Sequence, residues 1–105
     1  MITVITSAGK DLDSKFDLRF GRAGHYCIYN EQTKSVNFVE NKNKEAQGGA
    51  GTMAAEKMVE LKVGKVISGH FGPKAKDLLD KFNIQMVMID DDSNSVQDII
   101  DKIKN

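Results

Sequence analysis

The residues best suited to chemistry lie in one short segment, Arg19 to Cys27, which reads RFGRAGHYC. It contains both arginines of the chain, one of its two histidines and its single cysteine. Imidazole and thiol groups are good ligands for soft or borderline transition metals. Guanidinium groups donate several hydrogen bonds to an anionic partner. The segment therefore offers candidate ligands for a metal and candidate hydrogen-bond donors to an anion.

His25 and Cys27 lie two positions apart at the start of a predicted strand. Because side chains alternate along a strand, both would point to the same face of the sheet. A slip of one residue would turn His25 to the other face. Free cysteines are often small buried core residues, so Cys27 has a purely structural interpretation as well as a metal-binding one.

A glycine-rich stretch, Gly48-Gly49-Ala50-Gly51-Thr52, precedes a helical pattern. Glycines at a helix start leave backbone N–H groups free to face an anion, which makes Gly48, Gly49 and Gly51 candidate binding residues. The stretch lacks the terminal Gly-Lys-Ser/Thr of a phosphate-binding P-loop. A flexible connector is the alternative interpretation.

A second histidine lies in the turn Ser68-Gly69-His70-Phe71-Gly72. The turn follows a predicted parallel strand, and open α/β sheets bind their ligands at the carboxyl ends of such strands. Gly69 and Gly72 would let a partner approach the backbone closely. His70 is accordingly a candidate metal ligand, although an ordinary surface histidine fits the pattern too.

Five strands and three helices are predicted to position these segments. The early strands are joined by a link of hairpin length, which predicts an antiparallel pair, and the later β-α-β-α order predicts parallel strands with right-handed crossovers. Gly64 is expected to end the first helix. The expectation is an α/β fold with a mixed five-stranded sheet, in which strands cover 2–6, 25–30, 35–40, 65–68 and 84–89, and apolar helical stripes cover 50–61, 75–82 and 96–103.

Composition narrows the class of protein. The 105 residues fit a single domain, residues 1–105, and 15 basic against 15 acidic side chains give zero net charge. A nucleic-acid binder or membrane-surface binder would show a basic excess. The N-terminus does not read as a signal peptide, and one cysteine fits a reducing compartment. We therefore expect a cytoplasmic protein with neither nucleic acid nor membrane as a partner.

Taken together, these segments resemble the dinitrogenase iron–molybdenum cofactor biosynthesis family, which includes NifX-like proteins and the C-terminal domain of NifB. The resemblance covers nearly the whole chain. It rests on the opening strand, the Arg-Phe-Gly-Arg-Ala run, the glycine helix entry, the histidine turn with its strand, and the last strand, which are residues 2–6, 19–23, 48–51, 66–72 and 84–89.

The resemblance implies a ribonuclease-H-like three-layer fold without nuclease activity. It also implies binding of an iron–molybdenum or molybdenum/iron–sulfur cluster, or its precursor, with cofactor-assembly proteins as further partners. A sulfide-rich anionic cluster needs a basic cleft lined by glycine and one or two protein ligands. The expected binding residues are Arg19, Arg22, Gly48, Gly49, Gly51, Gly69 and Gly72, and the expected metal ligands are His25, His70 and Cys27.

Two other functions fit the same residues. The cleft of a regulatory module would bind a nucleotide, another small anion or a partner protein without metal. An enzyme acting on a phosphorylated or carboxylated metabolite would use His25 or His70 as its general acid or base. No partner that would tune either histidine is evident in the sequence, so we expect a carrier rather than an enzyme.

Overall fold

The computed structural model describes residues 1–104. Within them the chain forms five strands and three helices in the order predicted from the sequence. The observed strand ends differ from the predicted ones by one residue at β1, β3 and β5. The elements are β1 Ile2–Ser7, β2 His25–Asn30, β3 Val36–Glu40, α1 Ala50–Glu60, β4 Lys65–Ser68, α2 Pro73–Lys81, β5 Gln85–Met88 and α3 Val96–Ile103.

The strands form one five-stranded sheet in the order β3-β2-β1-β4-β5. β1 and β3 both pair antiparallel with β2, and β4 pairs parallel with β1 and β5. The hairpin between β2 and β3 turns at residues 31–34, where Lys34 has a φ of 65°. The mixed sheet predicted from element order is therefore confirmed.

Helices cover both faces of the sheet, and each face has its own core. Val4 and Val66 pack with residues of α1 and α2 on one face, whereas Ile5 and Ile67 pack with residues of α3 on the other. Because both faces of β1 and β4 are buried, these strands read as nearly continuous apolar runs. We call the two faces the α1–α2 side and the α3 side.

The prediction that Gly64 ends the first helix is wrong. α1 ends at Glu60, and the positive φ of 59° that follows belongs to Lys62. Gly64 instead lies beside the start of β1, where its N–H donates to the Ile2 carbonyl at 2.8 Å. A Cβ on Gly64 would come within 2.8 Å of the exposed Met1 side chain, which would have to shift to make room for it.

Candidate anion-binding cleft

A cleft of about 330 Å³ opens on the α1–α2 side where three parts of the chain meet. These parts are the segment that follows residue 18, the start of α1 and the turn between β4 and α2. The cleft contains six of the ten residues predicted for the site, counting Arg19, Arg22, Gly49, Gly51, His70 and Gly72 as lining it. Phe20, Gly21 and Ala50 complete the lining.

Backbone pairing brings Arg19 and His70 together. The two residues form an isolated parallel bridge, and the N–H of Phe20 donates to the His70 carbonyl at 3.2 Å. The Tyr26 hydroxyl donates to the Phe20 carbonyl at 2.8 Å, in a buried position. The segment that begins at Arg19 therefore lies against the turn that follows β4.

Asn41, which follows β3, holds the arginine segment in place through side-chain hydrogen bonds to its backbone. Its buried amide nitrogen donates to the carbonyls of Gly21 at 2.9 Å and Ala23 at 2.8 Å. Arg22 then reaches across to the following turn, where Nη1 donates to the Lys44 carbonyl at 2.8 Å. Sequence analysis missed Asn41, because a single asparagine in a polar stretch gives no signal of burial.

Asp17 orients Arg19. Its carboxylate accepts hydrogen bonds from Nε and Nη2 of Arg19, both at 3.1 Å. Asp17 is buried, whereas the Arg19 side chain is 66% exposed. The hydrogen bond and the charge of Asp17 raise the pKa of Arg19, and the guanidinium N–H groups not taken by Asp17 stay available to a ligand. The sequence signal for this ion pair was the aspartate two positions before Arg19.

The starts of α1 and α2 add backbone donors to the cleft. Gly49 and Gly72 are the N-cap residues; neither helix has a side-chain cap or an acidic residue in its first turn. α3 is different, because Ser95 and Asp98 form a complete capping box. Two helix N-termini without a capping side chain therefore border the same cleft, and the helix dipole at each one favours an anion.

The first hydrogen bonds inside these two helices show which N–H groups are left. The bond in α1 runs from Met53 to the Gly49 carbonyl, and the bond in α2 from Lys76 to the Gly72 carbonyl, both at 2.9 Å. The N–H groups of residues 50–52 and 74–75 precede these bonds and have no partner within their own helix. Pro73 at the first turn of α2 has no N–H to satisfy.

The predicted glycines have different roles. A Cβ on Gly49 or Gly72 would meet no atom within 4 Å, so these two positions of the cleft lining are open to a ligand. Gly69 does not line the cleft, since a Cβ there would lie 2.7–2.9 Å from atoms of Leu18. Gly69 is therefore explained by packing. Gly48 also lies outside the cleft lining, although it adjoins Gly49.

Gly21 is a site residue that sequence analysis did not single out. A Cβ on it would lie 2.7 Å from both N and Cα of Gly51 at the start of α1. The absence of both side chains lets the arginine segment touch the helix backbone. The glycine between the two arginines was visible in the sequence, but its contact 30 residues away was not.

His25 and Cys27 are not brought to the cleft. Cys27 is fully buried in the α3-side core, and burial raises the pKa of its thiol to about 12. Strand alternation places His25 on the same side, opposite Ser7 and Glu40. His25 Nδ1 is buried and has no hydrogen-bond partner in the described chain. Of the three predicted metal ligands, His70 is the one that lines the cleft.

No protein-only metal site is present in residues 1–104. Within that range there is no group of three or more His, Cys, Asp or Glu side chains that could hold a metal ion. His70 could therefore supply one protein ligand to a metal whose remaining ligands come from the bound group and not from the protein. The described residues that line the cleft include no carboxylate, and the one carboxylate paired with a lining residue, Asp17, is buried behind Arg19. Arg22 and the two helix starts therefore supply donors and positive charge that suit an anion.

A larger cavity of about 440 Å³ lies elsewhere on the α1–α2 side. Val39 and Asn41 line it from the β3 end, and Met53 and Lys57 line it from α1. Its lining includes none of the predicted site residues. We place the candidate site in the smaller cleft, because arginine, histidine and two helix starts without side-chain caps converge there.

Comparisons with known proteins point to one family. The family described as Dinitrogenase iron-molybdenum cofactor matches residues 1–105. The apo form of the orange protein from Desulfovibrio gigas has a TM-score of 0.89 at 27% identity, with 97% of this chain and 85% of that chain covered. A Thermotoga protein of the DUF35 family with a provisional NifB assignment has a TM-score of 0.83 at 29% identity, with the same coverage of 97% and 85%. No curated protein matches the chain.

Proposed function

The chain belongs to the dinitrogenase iron-molybdenum cofactor family, and from this premise we propose that it carries an anionic metal–sulfur cluster in the cleft. The cargo would be an iron–molybdenum cluster, a related molybdenum/iron–sulfur cluster or a precursor. The likeness to a protein described in an apo form supports a role in which a group is bound and released. Cofactor-assembly proteins are the proposed partners in that exchange.

The observation that carries the proposal is the convergence of donors on one cleft. Arg19, Arg22 and the starts of α1 and α2 all offer N–H groups or positive charge to the same space. Sulfide ligands on a cluster surface accept hydrogen bonds, and the whole cluster is an anion. Arginine and helix N-termini both favour such a charge.

His70 is the proposed protein ligand. Its side chain is exposed in the cleft, while its carbonyl is engaged by the N–H of Phe20. The backbone thus fixes the position of the residue and leaves the imidazole free. A neutral imidazole nitrogen would complete the coordination of one metal of the cluster. Arg19 would approach the same cluster from the neighbouring bridge.

The remaining parts of the proposal concern class, fold and location. We propose that the chain binds without catalysing a reaction, and that it acts in the cytoplasm without nucleic acid or membrane as a partner. No helix in residues 1–104 is both long and apolar enough to cross a membrane. We also propose a ribonuclease-H-like fold, which is supported by a mixed sheet with helices on both faces.

The test compares two histidine variants of untagged protein. Each is incubated anaerobically with iron, molybdate and sulfide, desalted, and examined by visible spectroscopy and metal analysis. We expect His70→Ala to lose most of the retained metal, because the imidazole lies in the cleft. His25→Ala is the matched control and should retain metal like the unaltered chain, because it lies on the α3 side.

Equal retention by His70→Ala and the unaltered chain would overturn the ligand assignment. A chain that remains free of metal and colourless throughout would overturn the carrier proposal. The regulatory module is then the function to examine, because helix N-termini of this kind also bind phosphate groups. Stabilisation by a nucleotide without metal would support that function.

A further inference from the structure

Two buried hydroxyl side chains lie at the carboxyl ends of the central strands. Thr6 of β1 and Ser68 of β4 are both fully buried. Two positions earlier on each strand, the side chains of Val4 and Val66 belong to the core on the α1–α2 side. Since side chains alternate along a strand, Thr6 and Ser68 face that same side. The two strands therefore change from valine to a hydroxyl residue where they approach the cleft.

Hydrogen bonds join these hydroxyls to the chain just before Arg19. Thr6 Oγ1 lies 2.5 Å from the Asp17 carbonyl oxygen and 2.9 Å from Ser68 Oγ. Because a hydroxyl has one proton to donate, Thr6 donates to the Asp17 carbonyl when Ser68 donates to Thr6. The backbone N–H of Asp17 also donates to the Thr6 carbonyl, at 3.0 Å. Asp17 is therefore held to the end of β1 through both its N–H and its C=O.

Asp17 in turn holds Arg19. Its carboxylate accepts from the backbone N–H of Arg19 at 3.0 Å, and from Nε and Nη2 at 3.1 Å. The Arg19 side chain is 66% exposed, so without this support it would lose rotamer freedom when it binds a cargo. At the other end of the network, Ser68 precedes the cleft residue His70 by two positions. The network thus connects the strand that leads to His70 with the guanidinium of Arg19.

We propose that Thr6 is a positioning residue of the cleft. Its hydroxyl fixes the backbone of Asp17, and the Asp17 carboxylate fixes the direction of the Arg19 guanidinium relative to His70. Less side-chain freedom is then lost when the cargo binds, which favours retention of the cargo. The consequence for the cargo rests on the function proposed above, whereas the effect on Arg19 does not.

Thr3 provides a matched control on the same strand. It is also fully buried, but its hydroxyl donates to the Glu31 carboxylate, which forms an ion pair with Lys65 at 3.3 Å. Thr3 lies opposite Tyr29, whose side chain belongs to the α3-side core. Replacing either threonine by valine removes a buried hydroxyl of β1 while keeping a branched side chain of similar size. Comparing the two variants therefore separates an effect on stability from an effect on the cleft.

The first test follows the arginine Nε–H signals of the apo protein by NMR, so it needs no cargo. The chain has two arginines, and Arg19→Lys and Arg22→Lys assign the two signals. We expect the Nε–H of Arg19 to exchange with water several times more slowly than that of Arg22, because Arg19 Nε donates to Asp17, whereas Arg22 bonds through Nη1. Thr6→Val should remove most of this difference, and Thr3→Val should leave it unchanged.

The second test measures how firmly the loaded chain retains metal. Protein loaded anaerobically with iron, molybdate and sulfide is titrated with EDTA. Thr6→Val should release half of its metal at a roughly threefold to tenfold lower EDTA concentration, the cost of ordering one arginine side chain on binding. Thr6→Ser keeps the hydroxyl but loses the methyl group, and it should restore retention. Thr3→Val should retain metal like the unaltered chain, even where urea unfolding shows that it is less stable.

An Arg19 Nε–H that exchanges as fast as that of Arg22 in the unaltered chain would overturn the proposal, whether or not any threonine variant folds. So would equal effects of Thr6→Val and Thr3→Val on the Arg19 signal, or a Thr6→Ser chain that behaves like Thr6→Val, since packing would then explain Thr6. An unaltered chain that retains no metal would instead contradict the proposed function. The Nε–H comparison would still decide whether Thr6 positions Arg19.

Discussion

The two tyrosines of β2 differ in the hydrogen bonding of their hydroxyl groups, and we expect the two hydroxyls to have opposite effects on stability. Tyr26 and Tyr29 are both buried. The Tyr26 hydroxyl donates to the Phe20 carbonyl at 2.8 Å, whereas the Tyr29 hydroxyl has no hydrogen-bond partner in residues 1–104. A buried polar group without a partner costs free energy, and a buried hydrogen bond contributes modestly to stability.

We predict that Tyr26→Phe lowers the free energy of unfolding by about 1–2 kcal/mol, because it leaves the buried Phe20 carbonyl without its donor. Tyr29→Phe should leave stability unchanged or raise it slightly. Urea unfolding of the two variants checks this directly. A loss in Tyr29→Phe as large as that in Tyr26→Phe would contradict the assignment of the unpartnered hydroxyl.

The buried thiol of Cys27 predicts a pH dependence of stability. Burial raises its pKa from 9.0 to about 12, so the native state keeps the proton where the unfolded chain loses it. This stabilisation is complete below the unfolded pKa and is lost as pH rises between these two values. We expect the free energy of unfolding to fall as pH increases above about 9.

Cys27→Ala isolates the contribution of the thiol to that slope. The variant should be less stable at neutral pH, because it leaves a cavity, but its stability should decline less steeply between pH 8 and 10. Tyr26, whose pKa is also raised by burial, contributes to the slope in both chains. Identical slopes would show that Cys27 does not titrate as its burial implies.

At the scale of elements, the cleft depends on contact between an arginine segment and the start of α1. Gly21 and Gly51 allow that contact, because a Cβ on Gly21 would lie 2.7 Å from two backbone atoms. Backbone cannot yield as a flexible side chain can. The segment and the helix would have to separate to accommodate an alanine.

We predict that Gly21→Ala destabilises the fold by about 1–3 kcal/mol and lowers metal retention in the anaerobic assay. Gly48→Ala is the matched control, because a Cβ there would meet no atom within 4 Å. Thermal unfolding and metal analysis of both variants provide the measurement. Equal behaviour of the two would mean that the close contact is unimportant for the cleft.

The elements themselves were predictable because their patterns are local. The apolar run at Ile2–Ser7, the short link after Asn30 and the apolar stripe of α3 each lie within a few residues. The contacts that build the cleft are not local. Asn41 bonds to Gly21 across 20 positions, and Arg22 bonds to Lys44 across 22, so nothing in either neighbourhood indicates the pairing.

Sequence analysis also could not determine on which face of the sheet the His25 side chain lies. Alternation predicts that His25 and Cys27 share a face, but it does not say which face borders the cleft. The structure places Cys27 against the α3-side core, while the cleft opens on the side of Phe20. Which helices cover which face is a property of the whole topology.

On the scale of the whole molecule, the proposed cargo joins distant parts of the chain. The cleft is bordered by residues 19–22, by the start of α1 and by the turn before α2. A group that binds the native state but not the unfolded chain raises the apparent stability by mass action. The helix starts without side-chain caps and the exposed arginine should make that gain sensitive to salt.

We predict that loading with iron, molybdate and sulfide raises the Tm. At a free cargo concentration of about 100 times its Kd, the gain is about 2.7 kcal/mol, which corresponds to roughly 10 °C or more for a domain of this size. Removing the metal with a chelator should reverse the shift, and His70→Ala should show a smaller one. An unchanged Tm in a chain shown to retain metal would contradict binding in the cleft.

The start of α2 at Gly72, which has no capping side chain, has an evolutionary consequence. A serine or aspartate at Gly72, whose φ of −67° and ψ of 160° resemble those of Ser95, could satisfy the first-turn amides as Ser95 does in α3. Gly49 is different, because its φ of 73° strains any other residue. Selection for heat resistance alone would be expected to introduce such a residue at Gly72, where it would compete with the cargo for the same donors. The empty protein would then be less stable than a capped variant, and Gly72 would keep the first-turn amides of α2 available to the cargo.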